Sequence, residues 1–124
     1  MRAGTAIVAF VPSTDLERSR RFYVDILGLE LIELSPYACV LNGLGATLRV
    51  TKVDNLAPHP FTVLGWEVTD IRASIADLTT SGVTFLRYDG MPQDEAGIWT
   101  APGGGLIAWF ADPDANVLSF SQLS

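Results

Sequence analysis

At 124 residues and 13.4 kDa, with 48% hydrophobic residues, the chain has the size of one globular domain and can bury a core. A net charge of −6 and a pI near 4.5 argue against nucleic acid as a partner. No stretch approaches the ~20 apolar residues that span a bilayer, and the run from Ala6 to Val11 is too short for a secretory segment and is closed by Pro12, so no membrane association and a cytoplasmic location are expected.

Ala6 to Val11 reads as the first strand. Thr14 and Glu17 have the spacing of a capping box and open a helix in which Leu16, Tyr23, Ile26 and Leu27 recur at helical intervals. Gly28 suits the left-handed stop of that helix, which should run about 12 residues. Strands follow at Leu29 to Leu34, Tyr37 to Leu41 and Ala46 to Val53, separated by the turn signals Ser35-Pro36 and Asn42-Gly43. Asp54 to Pro60, with two prolines, reads as a connector, so the first module covers about residues 1–54 and the second about 61–124.

The second module repeats the order. Phe61 to Val68 is a strand, and Thr69-Asp70-Ile71-Arg72-Ala73-Ser74 answers Thr14-Asp15-Leu16-Glu17-Arg18-Ser19 at a distance of 55 positions. Thr69 reads as the cap of a second helix with Ile71, Ile75 and Leu78 on its apolar face and Gly82 at its end. Ser19 and Ser74, matching small residues, are placed where helix meets sheet. Strands are then expected at Val83 to Tyr88, Leu106 to Ala111 and Val117 to Gln122. The long segment Asp89 to Gly105, rich in glycine and proline, has room for a strand pairing near Ile98 to Thr100 and reads either as a binding loop carrying Trp99 or as a passive surface excursion.

Strand alternation divides the faces. Leu48 and Val50 oppose Thr47, Arg49 and Thr51, and Leu118 and Phe120 oppose Ser119 and Ser121. If Leu64, Trp66 and Val68 meet the second helix, Val63, Gly65 and Glu67 face away from it. The single cysteine, Cys39, lies in an apolar strand and reads as a buried thiol. The single histidine, His59, sits between two prolines and reads as exposed or locally bonded. Asp112, Asp114 and Asn116 have the first spacings of a calcium loop, yet Val117 and Leu123 occupy its glycine and final carboxylate positions, so a hairpin turn explains them better. Gly103-Gly104-Gly105 precedes a strand and lacks the geometry of a phosphate cradle. With one connector histidine, a hydrolytic triad has no base.

Asp15-Leu16-(x)2-Ser19-(x)2-Phe22-Tyr23-(x)3-Leu27-Gly28, Val68-Thr69-Asp70-Ile71 and Trp109-Phe110-Ala111-Asp112-Pro113-Asp114-Ala115-Asn116, with the duplicated order of elements, resemble the vicinal oxygen chelate superfamily. That group contains glyoxalase I, extradiol dioxygenases, fosfomycin-resistance enzymes and bleomycin-resistance proteins. The resemblance implies an α+β fold, two tandem βαβββ modules forming a cupped, partly closed mixed β-sheet with helices on the outside, as one glyoxalase-like domain. Enzymes of the group hold a divalent metal through histidine and glutamate on equivalent strands. Carried over one at a time, those positions fall on Val8, Arg49, Val63 and Ser119. Valine has no donor, arginine is a fixed cation and a lone serine hydroxyl binds weakly. The resemblance therefore implies no metal and no cofactor here, and argues against metal-dependent glyoxalase or dioxygenase activity. Fold alone does not decide whether another activity is present.

The face assignment lines a concave surface with Phe10, Thr47, Arg49, Thr51, Glu67, Ser119 and Ser121; the resemblance turns Trp109 toward it, and Trp99 could close over it. Arg49 and Glu67 read as an ion pair replacing the metal, as the anchor of an anionic or zwitterionic ligand, or, for Glu67, as an acid or base. Phe10, Trp99 and Trp109 read as ordinary packing or as a stacking wall for a planar ligand. The first expectation for function is a homodimeric, metal-free protein that binds a small organic molecule, such as an antibiotic or aromatic metabolite, in the manner of bleomycin-resistance-like members. A second is a lyase, isomerase or dioxygenase-like enzyme using Glu67 and Arg49 or a non-standard metal set. A third is a dimeric interaction protein with a vestigial pocket.

Overall fold

Each half of the chain runs strand, helix and three strands. The computed structural model describes residues 1–123; Ser124, the end of the expected second module, lies outside the described residues. The first half contains β1 (Val8–Ser13), α1 (Leu16–Arg20) continuing into a π-helical segment (Arg21–Ile26), β2 (Glu30–Leu34), β3 (Ala38–Asn42) and β4 (Thr47–Lys52). The second contains β5 (Thr62–Glu67), α2 (Ile71–Thr80), β6 (Trp99–Thr100), β7 (Leu106–Ala111) and β8 (Val117–Gln122). The chain is thus α+β, built of two tandem βαβββ modules. It divides into two compact units, Met1–Ala57 and one beginning at Pro58, a break inside the Asp54 to Pro60 stretch.

The first unit carries a four-stranded sheet in the order β1-β4-β3-β2 and the second one in the order β5-β8-β7-β6. In each, the first and last strands of the module are parallel neighbours and the other pairings are antiparallel. A parallel pair needs a long crossover. The helix of each module lies within that connection.

Both helices are capped one residue later than the threonines predict. The Asp15 carboxylate accepts the Arg18 amide at 3.1 Å and the Asp70 carboxylate accepts the Ala73 amide at 3.0 Å. Both caps have extended backbone, and a carboxylate there also faces the positive end of the helix dipole. Thr14 instead accepts from the Arg18 guanidinium at 3.3 Å, and Glu17 pairs with Arg20 at 2.7 Å, so the capping box does not form. Asp70→Ala is expected to cost about 1 kcal/mol, read as a shift in the denaturation midpoint.

The first helix departs further from its expected form. After five α-helical residues it widens, with the Leu27 amide donating to Phe22 O at 3.0 Å, five residues back. The widened stretch buries the neighbouring rings of Phe22 and Tyr23, edge to face at 5.1 Å, while Ile26 and Leu27 are only half-buried. In α2 the expected Ile71, Ile75 and Leu78 are all buried. Gly28 and Gly82 take positive φ, 78° and 94°, and close the two helices as predicted.

Ser19 is fully buried, and its hydroxyl bonds that of Ser13 at the end of β1, 2.6 Å away. Ser74 differs, its hydroxyl donating to Asp70 O within the helix at 3.0 Å. The helix-facing core of the first unit is Val11, Cys39, Leu41, Leu48 and Val50; that of the second includes Ile75, Phe85, Phe110, Leu118 and Phe120. Burial pushes the Cys39 thiol up, which disfavours the reactive thiolate.

The strand expected at Val83 to Tyr88 does not form. The Leu86 amide bonds Trp109 O at 2.8 Å. Other backbone groups of this stretch are taken by a side chain: Gln93 Oε1 accepts the Tyr88 amide at 2.8 Å, and Gln93 Nε2 donates to Leu86 O at 3.0 Å and Gly97 O at 2.9 Å. A side-chain amide thus does what a neighbouring strand would do. The edge position goes to β6, inside the long glycine- and proline-rich segment.

Candidate functional site

Strand register places the candidate residues in rows on the sheet face opposite each helix. In the first unit one row is Phe10, Arg49, Val40 and Glu33 across β1, β4, β3 and β2, and the next is Val8, Thr47, Asn42 and Glu30. Phe10 is 62% exposed, while Thr47 and Arg49 are half-buried. The alternation expected for β4 holds: Leu48 and Val50 are buried and Thr47, Arg49 and Thr51 are not.

In the second unit one row is Glu67, Ser121, Ile107 and Trp99, and the next is Gly65, Ser119 and Trp109. Two large rings therefore stand on one face beside two serine hydroxyls and a carboxylate. Trp99 and Trp109 lie 6.2 Å apart between centroids at 34°, and Tyr88 meets Trp109 edge to face at 5.4 Å. All three rings are half-buried. Burial pushes the Tyr88 phenol up, so it stays a neutral hydroxyl at physiological pH. Gly65 leaves room for this row, since a Cβ there would lie 2.4 Å from the Ser119 hydroxyl.

Trp99 lies in the short strand pairing expected near Ile98 to Thr100, opposite Ile107, and the segment before it is held by Gln93 and Asp94. Asp94 Oδ1 accepts the Ala96 and Ile98 amides, each at 2.9 Å, and Oδ2 accepts Arg72 of α2 at 2.9 Å. Burial pulls its carboxyl up, but the Ile98 amide, Arg72 and the Ala96 amide together hold it below the ordinary value. A carboxyl depressed by folding stabilises the fold above its unfolded pKa, and that contribution is lost as pH falls through the folded value. Amide exchange in residues 94–98 is therefore expected to rise on acidification below the usual carboxylate range, and Asp94→Asn should flatten that response.

A hollow of about 640 Å³ lies on the helix side of this unit between Ile75, Thr79, Val83, Phe85, Arg72 and Arg87. Arg72 pairs with Asp94, and Arg87 donates to the carbonyls of Asp94 and Glu95. Both cations are committed to the protein's own oxygens.

Among the described residues no three His, Cys, Asp or Glu side chains come together to hold a metal ion. At the ligand positions that the resemblance implies, Val8 and Val63 have no donor atom, Arg49 is a cation and Ser119 offers a lone hydroxyl, so this residue set does not fit a divalent metal. His59 is exposed and stacks on Phe61, with centroids 5.0 Å apart. The Asp112 carboxylate is occupied by its own turn, accepting the Asp114 and Asn116 amides and the Asn116 side chain at 2.8–2.9 Å. That is the hairpin reading.

The predicted residues are thus shared between the units: Phe10, Thr47 and Arg49 on the first sheet, Glu67, Trp99, Trp109, Ser119 and Ser121 on the second. Within their own units, Arg49 and Glu67 have no side-chain partner among the described residues. Sequence reasoning missed Tyr88 and Ile107. Alternation along β7, with Ala108 and Phe110 fully buried, could have found Ile107 beside Trp109; nothing local marks Tyr88, which Gln93 positions.

A duplicated α+β fold, with Arg49 and Phe10 on the open face of one unit and a cluster of rings on that of the other, defines the class. The sequence profile described as the Glyoxalase/Bleomycin resistance protein/Dioxygenase superfamily matches residues 6–120, and the chain belongs to that superfamily. Among solved structures it is similar to TnmS3, an antibiotic binding protein from Streptomyces sp. CB03234, at 24% identity and a TM-score of 0.73, covering 100% of this chain and 99% of that one. It is also similar to a glyoxalase/bleomycin resistance protein/dioxygenase from Alicyclobacillus acidocaldarius, at 20% identity and TM-score 0.69, with 99% and 95% covered. A lactoylglutathione lyase from Agrobacterium tumefaciens matches at 14% identity and TM-score 0.74, with 98% and 96% covered. No curated protein matches. At these identities the likenesses establish the fold. Among the described residues no helix is long and apolar enough to cross a membrane.

Proposed function

We propose that this protein is a metal-free binder of a small planar organic molecule and acts as a homodimer. The observation that carries the reading is the Tyr88, Trp99 and Trp109 cluster, three rings on the open face of the second unit beside Ser119, Ser121 and Glu67. Indole faces offer a sequestered aromatic ligand large stacking area, and the hydroxyls and the carboxylate orient its polar substituents. An antibiotic or an aromatic metabolite has this chemistry, and the likeness to an antibiotic binding protein of the same fold supports the choice.

The dimer is supported by exposed apolar side chains outside the cores. Val8, Phe10, Phe61 and Val63 are exposed, as are Leu31, Ile32 and Leu34 on the edge strand β2. An edge strand with apolar residues uncovered on both faces is a surface that soluble proteins ordinarily cover.

A thermal-shift screen of planar antibiotics and aromatic metabolites tests binding, since a ligand at 100 times its Kd adds about 2.7 kcal/mol of stability. Elemental analysis after incubation with zinc, nickel, manganese and iron is expected to find no stoichiometric metal, and light scattering a species of twice the chain mass. One tightly held ion per chain, or silence across the screen, would overturn the reading.

A further inference from the structure

Arg49 stands in an unusual position for a cation. It is half-buried in β4, the second strand of its sheet, on the face turned away from α1, between Phe10 of β1 and Val40 of β3 in the same register row. Within its unit its guanidinium has neither an ionic nor a hydrogen-bonding partner among the described residues. The acidic residue of that row, Glu33, lies two strands away on the exposed edge strand β2. Other arginines of the chain are engaged: Arg20 with Glu17, Arg72 with Asp94, Arg87 with backbone carbonyls.

A second orphan lies beside it. Thr51 follows two residues along the same strand and on the same face, about 7 Å away, and its hydroxyl is buried with no hydrogen-bond partner among the described residues. A buried hydroxyl left unsatisfied and a partly desolvated guanidinium both carry a cost that a bound acceptor would remove. The two share a need for oxygen acceptors. A carboxylate supplies two, in the planar geometry that an arginine fork engages through two parallel bonds. Phe10, alongside in register, offers an apolar surface for the group that bears it.

We propose that the open face of the first unit is an anion site, in which Arg49 holds the carboxylate of a small aromatic acid, Thr51 donates its hydroxyl to the same group and Phe10 covers the ring. This rests on the small-molecule-binding reading and gives the first unit a ligand class of its own, an aromatic carboxylate. The overall negative charge of the protein opposes anions at long range, so recognition comes from the local fork and weakens with salt less than a diffuse field would.

The test compares two probes of one shape, 2-naphthoate and its neutral isostere 2-naphthamide, by titration calorimetry on the full chain. The acid is expected to bind about tenfold or more tightly than the amide. That preference should vanish in Arg49→Gln and persist in part in Arg49→Lys, which keeps the charge and loses the fork. Arg49 lies off the helix-facing core, and circular dichroism of both variants checks that the sheet is intact. Equal affinity for the two probes, or a preference for the acid that survives Arg49→Gln, overturns the anion site. If both probes bind equally and Trp109→Ala weakens both, the anion site fails and the binding function stands. If neither probe binds and the wider screen is silent, both fail.

Discussion

Trp109→Ala is expected to weaken binding of a flat aromatic ligand by about a hundredfold, while Trp109→Phe retains most of the affinity. Trp109 is the ring that both its neighbours touch: Tyr88 meets it edge to face at 5.4 Å and Trp99 lies 6.2 Å away. Removing it takes away one stacking surface and the support of two others, so the loss should exceed that from Trp99→Ala or Tyr88→Phe. The backbone carbonyl of residue 109, which accepts the Leu86 amide, survives the substitution. A large drop in affinity with a small drop in melting temperature would identify a binding residue. The reverse pattern would make the cluster ordinary packing, the alternative reading of these rings. Fluorescence quenching titrations, with Trp66 and Trp99 as remaining reporters, measure the affinity, and thermal melts of the free protein measure the stability.

Gln93→Ala is expected to destabilise the protein by about 3 kcal/mol, a large effect for a residue that is not in a hydrophobic core. Its side chain makes three hydrogen bonds, to the Tyr88 amide, Leu86 O and Gly97 O, at 2.8–3.0 Å. Truncation leaves those partly buried backbone groups unpaired, each at roughly 1 kcal/mol. Gln93→Glu separates the contributions. It keeps an acceptor for Tyr88 and replaces the donor facing two carbonyls by a second acceptor, so it should be at least as damaging above the carboxylate pKa and milder at acid pH. Urea denaturation at two pH values reads both effects. Because Gln93 also positions Tyr88, the alanine variant is expected to bind aromatic ligands more weakly, although no part of its side chain lies in the aromatic cluster.

The same residue explains why one expectation failed. Val83 to Tyr88 has the composition of a strand, and nothing within it forbids one. What decides the matter is an amide side chain five residues beyond Tyr88 that satisfies Leu86 and Tyr88 first, a competition local propensity cannot register. The caps failed for a different reason. Thr14-Asp15 and Thr69-Asp70 each offer two acceptable acceptors in a row, and only the path of the chain leaving β1 and β5 places the aspartate in register with the free amide. The widened helix at Arg21–Ile26 belongs with these cases, since seating both Phe22 and Tyr23 against the sheet decides the turn.

Several properties of this protein were settled by the amino-acid sequence alone. The spacing of apolar residues, the glycines at 28 and 82 and the copy 55 positions on specified two βαβββ modules, because periodicity and left-handed stops act within a few residues of chain. Alternation assigned the faces of β4 and β8 for the same reason. The tertiary structure decided which residues share a row. Arg49 meets Phe10 and Val40, and Trp109 meets Tyr88, through strand register and one long-range amide contact. Those pairings join positions far apart in sequence, and only the folded backbone brings them within reach of one another.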